Sequence, residues 1–380
     1  MILKSIKYSQ FENTPKAWHV KKFNVGKKNL LVGKNASGKT RILNIINAFA
    51  ALVSGDQKLI YNSGNYEIEF ENGKQIVKYI LKYKNSKVLK EEFIVDKKKF
   101  LERKGNGKGK IFAVQLKKSI DFQVSNNELA CVVRKDLIQH PFFNDLYKWG
   151  KQTLYYPFGS QMGKDQVSGI NQNKNIEKIN LKNINRLIDI FDAGQKKYGQ
   201  KFVNVIRKDM KKINYQLENI FLETIPIISD FGMKIEAKGL SVKEKDLEGI
   251  TNQQDISQGM FRALSLVIQL NYSHLESTPT CILIDDIGEG LDFERSQALI
   301  KLLMKKIDDS PAQLIMTTND RFVMNDIPIE LWLIINRVGG KCSILNYENS
   351  KKLFDEFKYT GLNNFDFFTN NFYLRDENIK

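Results

Sequence analysis

Gly33-Lys34-Asn35-Ala36-Ser37-Gly38-Lys39-Thr40 fills every fixed position of the pattern G-x-x-x-x-G-K-[ST]. Upstream, Lys28-Asn29-Leu30-Leu31-Val32 is a short apolar run of strand type. Downstream, Ile42, Leu43, Ile45, Ile46, Ala48 and Phe49 recur at helical spacing. Strand, glycine loop and helix, in that order, are what phosphate binding requires. Backbone N–H groups of the loop and of the helix N-terminus converge on an anion. Gly33 and Gly38 allow backbone angles and a close approach that a Cβ would block. Lys39 is placed to reach the β- and γ-phosphates, and the Thr40 hydroxyl to ligate Mg²⁺. Lys34, Asn35, Ala36, Ser37 and Arg41 complete the candidate contacts. The loop reads as a nucleoside-triphosphate site.

The 380 residues suffice for two or three ordinary domains, or one large domain with insertions. Hydrophobic and charged contents of 42% and 27% are those of a folded soluble protein. No apolar stretch approaches the roughly 20 residues of a membrane span, and residues 1–7 read as a strand rather than a signal peptide. The expectation is a cytoplasmic protein with no membrane partner. Cys131, Cys281 and Cys342 are far apart and in no metal spacing, so they read as reduced thiols. A net charge of +16 favours DNA or another polyanion as partner. Lys greatly outnumbers Arg, however, and Asn and Ile are abundant, so the same charge reads equally well as a compositional bias.

Residues 1–32 carry two strand patterns separated by a polar turn around Asn13-Thr14-Pro15, and the helix after the loop ends near Ser54-Gly55. Tyr66 to Phe70 alternates apolar with polar, residues 71–74 make a hairpin turn, and residues 75–81 are the partner strand. Further strands are expected at 87–95, 110–116 and 130–134, with a flexible turn at 105–109. Together they make an antiparallel meander inserted after the loop. Pro141 opens a short helix, residues 153–158 form a strand, and 159–174 a loop. From 175 to 222 the pattern is helical, and Ile206, Met210, Ile213, Leu217 and Ile220 mark a seam of heptad spacing. Asp192-Ala193-Gly194 is the candidate break, giving either a short protruding arm or two ordinary helices packed on the core. The second half returns to α/β pattern: helix 257–272, strand 280–285, helix 292–308, strand 312–318, and a strand pair around residues 338–341.

Cys281-Ile282-Leu283-Ile284-Asp285-Asp286 is an apolar strand ending in two carboxylates. Asp285 stands where a phosphate-loop enzyme holds Mg²⁺, and Asp286 where a base would orient the attacking water. Ser257-Gln258-Gly259 opens an apolar helix with an N-capping hydroxyl and a glycine, which is a second anion-binding helix end. The order of phosphate loop, Ser-x-Gly helix, acidic strand, Gly290-Leu291-Asp292 and a Thr317-Thr318 strand end resembles the ABC-type ATPase heads. More narrowly it resembles the SMC/RecF/OLD-like branch found among prokaryotic antiphage systems.

The resemblance implies an α/β fold: an ABC-type P-loop ATPase head with an antiparallel β-rich lobe and a helical insertion. The corresponding division is 1–174, 175–222 and 223–380. Thr40 and Ser257 are 217 residues apart, more than a transporter nucleotide-binding domain usually allows. It also implies ATP and Mg²⁺ as cofactors and a head-to-head homodimer or higher assembly. In that dimer Ser257, Gln258, Gly259 and Asp292 complete the partner's site. Thr40, Asp285 and a glutamine between the lobes would hold the metal, and both Gln161 and Gln115 qualify for the last place. Two positions depart from the family. Asp286 replaces the catalytic glutamate, and Asn319 replaces the switch histidine and cannot take a proton charge. Asp320 and Arg321 are placed to compensate. About 45 residues follow the last strand of the ATPase pattern, and they carry no acidic nuclease cluster. Their phenylalanines, Phe354 to Phe372, suit core packing. The functional expectation is an ATP switch that regulates a separate effector. The alternatives are a chromosome-maintenance head and a non-hydrolysing scaffold.

Overall fold

The strand Lys28–Val32 sits in the middle of the parallel part of the main sheet, and Asn29 through Val32 are buried. The computed structural model describes residues 1–59, 63–169, 181–228, 234–276 and 281–375. Four strands run parallel to Lys28–Val32. Trp332–Val338 lies on one side, and Gln313–Thr317, Cys281–Asp285 and Thr153–Pro157 follow in succession on the other. Cys281–Asp285 and Gln313–Thr317 are buried at every residue, and within them residues 281–284 and 314–316 are unbroken apolar runs.

Beyond Trp332–Val338 the sheet continues through Lys341–Asn346, Trp18–Asn24 and Ile2–Gln10 into an antiparallel meander, 14 strands in all. The meander comprises Ser63–Asn72, Gln75–Lys84, Lys87–Val95, Lys98–Lys104, Lys108–Ala113 and Lys118–Gln123. The pleat sends alternate side chains into two cores. Leu30, Val32, Ile282, Ile284, Leu314 and Met316 join a core shared with the helices Leu187–Tyr198, Gln200–Lys212, Gln258–Glu276 and Phe293–Asp308. Leu31, Leu283 and Ile315 join the other core, with the loop helix Lys39–Val53 and the inner face of the meander. Phe354, Phe357, Phe367 and Phe372 are buried against the first core, as core packing requires. No helix among the described residues is long and apolar enough to cross a membrane.

Three expectations are corrected. Residues 130–133 are a short helix, not a strand: the Ala130 and Cys131 N–H groups both donate to the buried Glu91 carboxylate, at 2.9 Å. The meander also has two strands more than expected, Lys98–Lys104 and Lys118–Gln123, whose outward lysines obscure the alternation. The stretch ending at residue 222 is not one helical arm. Its helices break at Gly199, at φ 57°, while Gly194 lies inside a helix where a Cβ would come within 2.3 Å of the Phe202 ring. Asn214, at φ 62°, follows the second helix, and Leu217–Ile228 is a strand paired with Lys234–Glu244. A bulge between Leu217 and Asn219 keeps Leu217 and Ile220 buried together despite their odd spacing, so the seam is buried in the core and is not the spine of an arm. Residues 170–180, where the insertion was expected to begin, lie outside the described residues.

The meander is locked by a fully buried ion pair. Arg103 donates to Glu91 at 3.1 Å and to the carbonyls of Val124, Ser125 and Glu128, while Glu91 also accepts from the Tyr79 hydroxyl. Removing one partner strands the other charge, so Arg103→Met is expected to cost about 3–5 kcal/mol. A chemical-denaturation midpoint that stays at the wild-type value would contradict this.

Candidate functional site

The phosphate loop caps the carboxyl end of Lys28–Val32 and runs into the helix Lys39–Val53. Its curvature needs two left-handed residues, Ala36 at φ 60° and Gly38 at φ 108°. A Cβ on Gly33 would come within 2.4 Å of the Ser37 hydroxyl, so the glycine is required for closure. Lys39 is buried, and its ammonium donates to the Gly33 carbonyl at 2.8 Å. Burial lowers its pKa, against the opposing pull of Asp286 and Asp285. The Ser37 hydroxyl is buried without a hydrogen-bond partner. A glycine cradle, a buried ammonium satisfied by one carbonyl, and an orphaned hydroxyl together fit a polyphosphate.

Parallel pairing brings three strand ends to this loop. Thr40 Oγ1 donates to Asp285 Oδ1 at 3.1 Å, and Thr317 Oγ1 donates to the same oxygen at 2.6 Å. The Tyr155 hydroxyl donates to Asp285 Oδ2 at 3.5 Å. Among the described residues no group of three His, Cys, Asp or Glu side chains forms a metal cage. A hydroxyl and a carboxylate placed together in this way fit a hard cation such as Mg²⁺, which takes most of its ligands from phosphate and water.

Asp286 leaves the strand in a left-handed conformation, φ 52°, with its N–H donating to Thr317 Oγ1 at 2.8 Å. Its Oδ1 accepts from Asn319 Nδ2 at 3.1 Å. Burial raises the Asp286 pKa, as do the neighbouring Asp285 and Glu289 carboxylates, while Lys39 opposes them. Thus Lys39, Thr40, Asp285, Asp286 and Asn319, scattered over the sequence, occupy one site.

The two glutamines separate. Gln115 lies in the turn between Lys108–Ala113 and Lys118–Gln123, on the last hairpin of the sheet. Gln161 follows the strand Thr153–Pro157, in a segment whose Gly159 backs onto Asp286; a Cβ there would sit 3.7 Å from Asp286 Oδ2. Ser257 is exposed and its hydroxyl accepts from the Met260 N–H at 3.3 Å. Gly259 meets the 288–292 loop so closely that a Cβ would be 2.3 Å from the Gly290 carbonyl. Gln258 keeps its side-chain nitrogen buried without a partner. Asp292 caps the helix Phe293–Asp308, accepting from the Arg295 N–H at 2.9 Å and pairing with the Arg295 guanidinium. Lys34 and Asn35 are exposed on the loop, and Arg41 is half-buried behind it.

Arg262 was not legible as a site residue. Its guanidinium donates to the carbonyls of Ser160, Gly159 and Glu289, each at 2.8 Å. One side chain thus joins the segment after Thr153–Pro157, the Ser257 helix and the loop leading to Asp292. Nothing in its neighbours in sequence signals this, because its acceptors are 27 to 103 residues away. Arg262→Ala is expected to speed amide exchange in residues 158–162 and 286–291 by about tenfold or more, since charged hydrogen bonds are lost. Unchanged exchange there would show that Arg262 does not hold these loops.

No protein-family model matches the chain, and no curated protein matches it. Among solved structures, an SMC head bound to the C-winged helix domain of ScpA superposes with a TM-score of 0.55 at 12% identity, over 93% of this chain and 100% of that one. The SMC head domain of Thermotoga maritima (TM-score 0.47, 13% identity, 91% and 99% covered) is a looser match and carries no argument. The same holds for a Pyrococcus furiosus SMC head with an extended coiled coil bound to the ScpA C-terminal domain (0.49, 11%, 94% and 99%). The first likeness shows the fold: a mixed α/β protein with a large sheet, built like an SMC head.

Proposed function

We propose that this chain is a Mg²⁺-dependent ATPase of the ABC type that works as a slow switch. The observation that carries the reading is Asp285 Oδ1, which accepts from both the phosphate-loop Thr40 and the strand-end Thr317. On this reading, residues 33–41 bind the triphosphate, Thr40, Asp285 and Gln161 hold the metal, and Asp286 with Asn319 orients water. The lobes are 1–174 and 223–380, with the intervening stretch as an insertion. Mg²⁺, when bound, neutralises charge on the phosphates. Lys39 and the loop N–H groups position them, and Asp286 accepts a proton from water at a carboxylate oxygen.

Asp286 is shorter by one methylene than the glutamate of the family it resembles and is held by a neutral Asn319. These features favour long nucleotide occupancy over rapid turnover. They equally favour the second reading, a scaffold in which ATP joins two heads without being cleaved. Exposed Ser257, beside the Gly290 loop, supports head-to-head association in which it completes a second copy's site. The SMC head that superposes with a TM-score of 0.55 is bound to a domain of ScpA, which suits a partner in trans here; an antiphage effector and a cytoplasmic location are parts of the same proposal. DNA is a weaker part. Of the outward lysines at Lys82, Lys90 and Lys104, which stand opposite one another, the first two pair with Glu12 and Glu92.

Single-turnover hydrolysis decides between switch and scaffold. The switch reading expects slow cleavage by the wild type, lost in Asp286→Asn. Equal rates in wild type and Asp286→Asn would leave only the scaffold. For association, Asp286→Asn with ATP is expected to sediment as a dimer and the added Ser257→Arg as a monomer. A monomer in both would remove the head-to-head reading.

A further inference from the structure

The phosphate loop is gripped from its outer side by residues that belong to neither the acidic strand nor the Ser257 helix. Trp18, the first residue of the strand Trp18–Asn24, is buried, and a Cβ on Gly38 would lie 2.9 Å from its Cζ2. Two guanidinium groups lie over the Trp18 ring: Arg41 at 4.0 Å and Arg337 at 4.7 Å from the centroid. Arg337 reaches the loop itself, donating from Nη1 to the Ala36 carbonyl at 2.7 Å, and its Nε donates to the Gly339 carbonyl at 2.7 Å. Arg41 donates to Gln10 Oε1 at 3.1 Å.

The support behind this contact is tight. His19 N–H donates to the Gly340 carbonyl at 2.8 Å, and a Cβ on Gly340 would be 2.1 Å from the Ala17 carbonyl. The turn joining Trp332–Val338 to Lys341–Asn346 is thereby wedged against the start of the Trp18 strand, and Arg337 projects from it onto the loop.

We propose that Arg337 and Trp18 are positioning residues that hold the phosphate loop in its anion-accepting shape before nucleotide arrives; this rests on the nucleotide-binding reading above. Ala36 is a non-glycine residue in the left-handed region, a conformation that persists only where the surroundings impose it. Its carbonyl is held by Arg337 and the next N–H, that of Ser37, closes onto the Lys34 carbonyl at 3.1 Å, so protein contacts alone fix the loop as a formed turn. Gly38, the other left-handed residue, lies against the Trp18 ring edge. The guanidinium is fixed by two carbonyls and one aromatic face, a combination that Lys cannot reproduce. Its two acceptors, and the acceptor of Arg41, are neutral, so both positive charges remain uncompensated by these contacts beside the helix N-terminus. A loop ordered in advance binds more tightly, because the ordering cost is removed from the binding step.

Arg337 is exposed, so Arg337→Gln is the variant that tests this with least risk to folding. In nucleotide-free protein, amide exchange of residues 33–38 is expected to speed by about tenfold, with the thermal midpoint unchanged. Mg-ATP affinity is expected to fall by about ten- to a hundredfold, while single-turnover hydrolysis at saturation keeps its rate. Arg337→Lys is not expected to restore either value. Trp18→Phe, which keeps an aromatic face for the guanidinium, is expected to stay near wild type. If wild type binds Mg-ATP and Arg337→Gln binds it equally well with unchanged loop exchange, the proposal is overturned. Faster exchange spread over the whole chain, with a lowered thermal midpoint, overturns it too, since that is general destabilisation. Failure of wild type to bind ATP would instead remove the nucleotide reading, and the exchange measurement would still decide whether the brace exists.

Discussion

One carboxylate oxygen organises the site. Asp285 Oδ1 accepts from Thr40 and Thr317, so three separate chain segments must end at the same point. Parallel pairing of Lys28–Val32, Gln313–Thr317 and Cys281–Asp285 puts their carboxyl ends in register there. The order of these strands across the sheet differs from their order in the chain, and the glycine loop follows the strand at one side of this group. Ligand sites in open α/β sheets sit in such crevices beyond the strand ends. The burial that makes these strands apolar also limits water around the carboxylates, which is why the charges near Lys39 and Asp286 perturb one another.

From that point the molecule extends in two directions. Toward the meander, strand after strand adds a face on which apolar side chains cover the loop helix and lysines face outward, many of them against glutamates on neighbouring strands. Toward the Ser257 helix, Arg262 and Gly259 bind two loops and that helix into one unit. A change of shape at Asp286 therefore has a short route to the surface that carries Ser257. The route runs through Gly159, which backs onto Asp286, and Arg262, which holds the Gly159 carbonyl. Static geometry supplies the contacts for such coupling; its energy is a separate quantity.

What the sequence made legible was local. The phosphate loop, the acidic strand end and the Ser257 cap each depend on fixed spacing over a few residues, so their chemistry can be read without knowing the fold. Helix and strand at 214–222 were confused because a bulge imitates helical spacing, and 130–133 because its cap, Glu91, lies about 40 residues away. Arg337 meets Ala36 across 301 residues, and Arg262 meets Gly159 across 103. Neither has a local signature, since an arginine fork acts through the carbonyls it finds. The insertion misled in the same way: Gly194 looked like a break, yet it is needed for close packing on Phe202.

The central claim is that Thr40 and Asp285 hold a divalent cation against a bound triphosphate. Equilibrium binding of ATP with Mg²⁺ and with a chelator, to wild type and to Asp285→Asn, tests it most directly. The account expects wild type to bind at least about tenfold more tightly with Mg²⁺, and Asp285→Asn to lose that difference while keeping its metal-free affinity. Equal dependence on Mg²⁺ in the two proteins would contradict it.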